Sequence, residues 1–144
     1  LPRLDEAQAL ASMVKGLAPQ AECWVSFQVR HDGATLADGT PLAEAAAWVA
    51  QEEMVVGVGV NCVAPGVVGR ALLVLRAATD KPLVAYPNAG DLYDPATKTW
   101  QSTGEGAGIP PLVPSWVAAG ARLVGGCCRT RPAQIRQLAR AVCP

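Results

Sequence analysis

Apolar residues recur every three to four positions between Asp5 and Leu17 (Ala7, Leu10, Ala11, Val14, Leu17), a spacing that predicts an amphipathic helix ending before Ala18-Pro19. The period then shortens. Glu22–Arg30 (ECWVSFQVR) is short, β-branched and aromatic and reads as a strand; HDGATLADGTPL follows as a loop with two Asp-Gly turn signals. Thr40-Pro41 opens a second helix, with Thr40 as cap and proline in the first turn, running through Glu44 to about Gln51. Met54–Cys62 (MVVGVGVNC) is apolar on both faces, the pattern of a buried parallel strand. Val67–Ala78 reads as a helix and Pro82–Asn88 as a strand. A long polar loop runs from Ala89 to about Pro110. Leu112–Ala119 is a helix stopped by Gly120, ARLVGGCC (121–128) a fourth strand, and Pro132–Val142 a closing helix.

The order is one helix followed by four strand–helix units, with strands starting near residues 23, 55, 83 and 122. A (β/α)8 barrel allots about 31 residues to each unit. The expected fold class is therefore α/β, with residues 1–144 supplying four βα units, half of a TIM barrel. An open doubly wound sheet is the alternative for the same alternation.

Composition narrows the partners. Twelve basic residues balance twelve acidic ones, which argues against nucleic acid or an anionic membrane surface as the main partner. No apolar run reaches bilayer length, and no signal peptide is visible. The chain does not begin with methionine and reads as a processed or truncated piece, or one half of something larger. Five scattered cysteines (Cys23, Cys62, Cys127, Cys128, Cys143) do not make a small disulfide scaffold and suit a reducing, cytoplasmic setting.

Three of those cysteines carry the chemistry. Cys62 ends the second strand, and Cys127 and Cys128 end the fourth. In a parallel array both ends open on one rim, where barrel enzymes keep their sites. Strand ends with one strand between them lie roughly 10 Å apart, a gap that inward curvature can close. Three thiolates suit Zn²⁺ and leave a fourth position for a thiol substrate, which loses its proton to the metal. Gly57, Gly59, Gly125 and Gly126 remove bulk near that rim, so that backbone or ligand approaches closely. The alternatives are a buried core Cys62 with a chance Cys127-Cys128 pair, or a redox dithiol, although adjacent cysteines lack the usual two-residue separation.

GVNC (59–62), YPNAG (86–90) and GGCCRT (125–130) resemble the homocysteine S-methyltransferase family, and SFQVRHDGATLADGTPL with YDPATKTW is similar to its branch that takes the methyl from S-methylmethionine or S-adenosylmethionine. The likeness covers nearly the whole chain but only the C-terminal half of the family domain. It implies a (β/α)8 barrel with zinc held at Cys62, Cys127 and Cys128. It implies that the sulfur of homocysteine joins the zinc and attacks the donor's methyl, giving methionine. Asn88 matches the version of the family in which an asparagine oxygen fills the fourth zinc position before substrate arrives; its alternative is a turn-forming asparagine. The first four strands of the family barrel, which contact the amino acid part of homocysteine, are absent, so activity is expected to need the missing half, supplied by a separate chain, a cleaved segment or residues beyond the given sequence; the partner expected is such a complementary N-terminal half or a homo-oligomer.

Other residues are weighed against simpler roles. His31, after the first strand, is a candidate rim base but more simply a solvated loop histidine. Asp38 shapes a turn, Ser26 packs or bonds locally, and Tyr93 and Trp100 either line a lid over the donor or pack outside the barrel. Thr130 is a helix cap before Arg131-Pro132, and Cys23 and Cys143 are bystanders. A lyase or aldolase would need a rim lysine or acidic metal ligands; Lys81 and Lys98 fit poorly. A half-barrel that binds zinc or a partner without turnover remains the second reading.

Overall fold

A computed structural model describes residues 1–101 and 108–142. Its elements run α1 (Leu4–Leu17), β1 (Cys23–Phe27), α2 (Leu42–Gln51), β2 (Val55–Asn61), α3 (Pro65–Ala78), β3 (Leu83–Tyr86), β4 (Leu92–Asp94), β5 (Thr99–Gln101), a 3-10 turn at Pro110–Leu112, α4 (Val113–Ala118), β6 (Ala121–Val124) and α5 (Pro132–Val142). The main sheet has strand order β1-β2-β3-β6 and is parallel throughout. The four strand–helix units are thus those expected.

The two faces of the sheet differ. Val25, Phe27, Val58, Val60, Leu83 and Ala85 are buried with Leu42, Val49, Val68, Leu72 and Trp116 of the helices in one core. Burying such side chains supplies about 1.5–3 kcal/mol each before entropy is charged against it. On the other face the register aligns Ser26, Gly59, Val84 and Leu123 across the four strands. That face is open: Trp24 is 56 % and Leu123 52 % exposed, and an apolar groove of about 730 Å³ runs over it from Trp24 and Val84 to Leu138 and Val142.

Several local expectations are corrected. The first strand stops at Phe27 and the last at Val124, so Gly125–Cys128 is loop rather than strand. The second helix begins at Leu42 with Pro41 before it and no side-chain cap, so Thr40 does not cap it. In α1, Leu4, Ala7 and Ala11 are buried while Leu10 and Leu17 lie in solvent, because only the small-residue edge of the expected stripe meets the core. The long loop contains an antiparallel hairpin, β4–β5, pairing Tyr93 with Trp100. Lys81 donates to the carbonyls of Val49 (2.7 Å) and Glu52 (2.5 Å), satisfying the C-terminal end of α2 ahead of β3, away from the strand ends that carry the cysteines. Burial pushes its pKa down. No described helix is long and apolar enough to cross a membrane.

Candidate metal centre

The cysteines meet because the chain following β3 is a backbone bridge between two loops. Cys62 N–H donates to the Tyr86 carbonyl at 3.2 Å, and Asn88 N–H to that of Val63 at 2.9 Å, stitching the end of β2 to the end of β3. On the other side Gly125 N–H donates to Ala85 (2.8 Å), Cys127 N–H to Pro87 (2.8 Å), and Ala89 N–H to Cys128 (3.0 Å). Residues 85–89 therefore hold both cysteine loops in register.

The result is tighter than strand spacing alone implies. The Cα atoms of Cys62 and Cys127 are 5.6 Å apart, and the two are paired as a disulfide. Cys128 is free and exposed, its Sγ 3.9 Å from that of Cys127. All three sulfurs lie within 4.8 Å of one another, and they are the one His, Cys, Asp or Glu group of this kind among the described residues. The expected 10 Å gap is closed to 5.6 Å between Cα atoms where both cysteine loops hydrogen-bond to residues 85–89.

Two local devices shape the cysteine turns. Cys62 has φ of 52°, a left-handed backbone unusual for a side-chain-bearing residue, and Arg129, just after Cys128, has φ of 67°. Thr130 Oγ1 donates to the Cys127 carbonyl at 2.5 Å, so it closes the cysteine turn instead of capping α5. The start of α5 is served by Gln134, whose Oε1 accepts from the Arg131 N–H at 2.7 Å. Gly126 makes room for Thr130: a Cβ there would sit 2.4–2.6 Å from the threonine side chain.

A cavity of about 350 Å³ opens beside Cys62, lined also by Asn88, Asp91, His31, Tyr93 and Trp100. Asn88 Oδ1 is buried with no hydrogen-bond partner, an unsatisfied acceptor facing the need for a donor or a cation. His31 is exposed; its loop is fixed by Asp32, whose carboxylate accepts from the Ala34 and Thr35 amides (2.8 and 3.0 Å) and the Thr35 hydroxyl (2.7 Å). The Ala34 amide, first among these, holds that carboxyl below its ordinary range. Asp38 has the turn role expected, accepting from Thr40 N–H at 3.0 Å. Ser26 Oγ is buried on the open face without a partner. Cys23 is half-buried at the start of β1, at the far end of that strand from the rim, and Lys98 sits in the hairpin turn. Cys143 lies outside the described residues.

Sequence reasoning did not find the Arg129–Asp91 ion pair, Nε to Oδ2 at 2.9 Å, which ties the cysteine turn to the base of the hairpin. Nor did it find the hairpin itself. Its signal was in YDPATKTW, where two short aromatic-bearing runs flank an Asp-Pro turn.

With the Cys62–Cys127 pair reduced, the donor set fits a soft divalent cation: three sulfurs at mutual distances short enough to share one ion, with an unsatisfied amide oxygen on the adjoining cavity.

The profile of the homocysteine S-methyltransferase family matches residues 1–142. The chain is 46 % identical over 139 residues to "Homocysteine S-methyltransferase" of Escherichia coli K12, covering 96 % of this chain and 44 % of that protein. It is 37 % identical over 140 residues to "Selenocysteine Se-methyltransferase" of Brassica oleracea, covering 96 % and 40 %. Its fold superposes on the metallated crystal form of the E. coli homocysteine methyltransferase MmuM with a TM-score of 0.80 and 41 % identity, covering 97 % of this chain and 42 % of that one. An oxidized form of the same protein matches equally well. The four units are thus part of a (β/α)8 barrel rather than an open doubly wound sheet. The chain spans less than half the length of the relatives it matches.

Proposed function

The chain belongs to the homocysteine S-methyltransferase family, and from that membership we propose that it carries the metal-binding half of a site that moves a methyl group from S-methylmethionine or S-adenosylmethionine to the thiol of homocysteine, giving methionine. The observation that carries this reading is the convergence of the Cys62, Cys127 and Cys128 sulfurs within 4.8 Å at one rim of a parallel sheet. Zn²⁺ is the cation we assign, since sulfur donors and tetrahedral geometry suit it. Bound there, it lowers the pKa of a thiol that joins it and so makes a nucleophile available at neutral pH.

The chain's own residues do the rest. Cys62, Cys127 and Cys128 hold the ion when all three are reduced, which places the active form in a reducing compartment such as the cytoplasm. Asn88 offers its unsatisfied Oδ1 as a fourth donor before substrate arrives. Thr130 and Gly126 fix the Cys127 carbonyl and so the direction of two of the sulfurs. The reaction forms one S–CH3 bond and breaks another, the electron pair returning to the positively charged donor sulfur. That leaving group becomes a neutral thioether and needs no acid. Seating both sulfur compounds side by side supplies much of the remaining acceleration.

The contacts to the amino and carboxylate groups of homocysteine are assigned to strands that complete the barrel along the outer edges of β1 and β6, from a complementary N-terminal half or a second copy of the chain. The edge of β1 already takes such a partner: Leu1 N–H donates to Ser26 O (2.7 Å) and Leu1 O accepts from Gln28 N–H (2.8 Å), a parallel bridge beside Phe27.

Zinc titration of the reduced chain under anaerobic conditions tests the assignment, with one tightly held ion per chain expected. Failure to bind zinc with all three thiols free overturns it. A methyl-transfer assay with homocysteine and S-methylmethionine, run on the chain alone and with the missing strands supplied, separates the enzyme from the second reading, a zinc- or partner-binding half-barrel without turnover, which the open sheet face favours. Gly126→Ala is expected to push Thr130 off the Cys127 carbonyl and weaken zinc binding about tenfold or more, as loss of a ligand-orienting contact does; competition with a chromogenic chelator measures it.

A further inference from the structure

Resting on that reading, we propose that Tyr93 and Trp100 form the wall that receives the positively charged sulfur of the methyl donor. The two residues are cross-strand partners on β4 and β5, with ring centroids 5.1 Å apart and planes tilted by 51°. Both line the 350 Å³ cavity into which Cys62 opens, a volume in the range of small-molecule sites. Neither belongs to the hydrophobic core, and Tyr93 is 49 % exposed. Packing of the barrel therefore does not account for two large rings at this place.

The hairpin is built to hold them still. Asp94 accepts from the Ala96 amide (2.9 Å) and the Thr97 hydroxyl (2.8 Å), and the Thr97 and Thr99 hydroxyls lie 2.7 Å apart. At the hairpin's base the Asp91 side chain, only 10 % exposed, accepts from Arg129. Arg129 directly follows Cys128, so one ion pair fixes the aromatic pair relative to the sulfur cluster.

The chemistry selects the ligand class. A sulfonium carries a permanent charge, is weakly hydrated and has no N–H to donate, so a carboxylate gains no hydrogen bond from it whereas an aromatic face attracts it directly. The one acidic residue lining the cavity, Asp91, is already neutralised by Arg129. Arg30, which also lines the cavity, turns its guanidinium to the Ala37 carbonyl (2.8 Å), and the unsatisfied Asn88 Oδ1 is the donor assigned above to the metal, so the pair of rings is the surface left for an organic cation. When the methyl leaves, the donor sulfur takes back the bonding electron pair and loses its charge, and with it its attraction to the rings. The same wall thus holds donor better than product.

The test compares S-methylmethionine with methionine, which lacks one methyl and the charge, by titration of the full 144-residue reduced chain followed by NMR. The wild type is expected to bind the sulfonium about tenfold more tightly than the thioether, the size of a cation–π preference. Trp100→Leu and Tyr93→Leu are expected to lose most of that preference with methionine binding unchanged, and Trp100→Phe to keep it. Equal binding of the two ligands by the wild type overturns the proposal, as does an undiminished preference in both leucine variants. Zinc stoichiometry is read on the same samples. A chain that prefers the sulfonium but holds no zinc keeps this inference and removes the metal assignment, and a chain that holds zinc without the preference does the reverse.

Discussion

Cys128→Ala is expected to lower the affinity of the reduced chain for zinc by two to three orders of magnitude and to abolish methyl transfer in the barrel once its missing strands are restored. The magnitude follows from the share each donor holds. Zinc in all-protein tetrahedral sites binds with about 10–16 kcal/mol, roughly 3–4 kcal/mol per ligand, and each 1.4 kcal/mol is a factor of ten. Cys127→Ala should cost as much. Cys128 is the more informative position, because it is exposed and unpaired and its thiol holds up no part of the core. Its loss should leave the denaturation midpoint of the metal-free chain where it was. Cys23→Ala, at the start of β1 and far from the rim, is the control that should leave the zinc affinity unchanged. Cys62 adds a second readout: with φ of 52°, Cys62→Gly removes a ligand and relieves a left-handed backbone together, so zinc should be lost while the metal-free fold holds or gains about 1 kcal/mol. Metal analysis after gel filtration decides the matter, and stoichiometric zinc in both Cys127→Ala and Cys128→Ala removes the ligand assignment.

Much of this arrangement was legible in the sequence, for identifiable reasons. The parallel strands announced themselves as apolar runs such as VVGVGV, and the helices between them as 3.6-residue stripes, because burial on both faces or on one leaves different periods. The rim position of the cysteines followed from strand direction alone. What did not follow was set by contacts distant in sequence. The path of 125–128 after β6 is set by the Ala85 and Pro87 carbonyls accepting the Gly125 and Cys127 amides, and no local period encodes it. The Arg129–Asp91 pair spans 38 positions, and neither residue differs from a solvated charge until the fold joins them. Thr130 shows the opposite failure. Its place before Arg131-Pro132 is that of a good cap, but α5 begins at Pro132, which puts Arg131 at the cap position and leaves the Thr130 hydroxyl donating to the Cys127 carbonyl.

Gly59→Ala should be the most damaging single methyl added anywhere on this sheet. An ideal Cβ at position 59 falls 1.8 Å from the Val84 carbonyl oxygen, 2.6 Å from its carbon and 2.7 Å from the Val84 Cβ. Two of those three atoms are backbone, so no rotamer change relieves the contact. The strands cannot simply part either: β2 is hydrogen-bonded to β1 on one side and β3 on the other, with Gly59 opposite Ser26 and Val84. Overpacking a core costs about 1–3 kcal/mol where side chains can yield, and here the loss should be at least about 3 kcal/mol, a large part of the 5–15 kcal/mol that holds a typical domain together. Gly16→Ala and Gly66→Ala provide the contrast: both sites lie in helices with nothing within 4 Å of the added carbon, and each should gain a few tenths to about 1 kcal/mol. Urea denaturation of the metal-free, reduced proteins compares the three, and a Gly59→Ala midpoint equal to that of the parent would show that β2 and β3 approach each other less closely than described. The same substitution reaches the cysteines by a different route from Cys128→Ala. The β2–β3 register sets the Cys62 amide on the Tyr86 carbonyl, and with it the position of the Cys62 sulfur opposite the Cys127–Cys128 turn. Gly59→Ala should therefore lose zinc because it loses the fold, and Cys128→Ala should lose zinc with the fold intact. That separation is what a metal site assembled by sheet register, rather than by the local cysteine turn alone, requires.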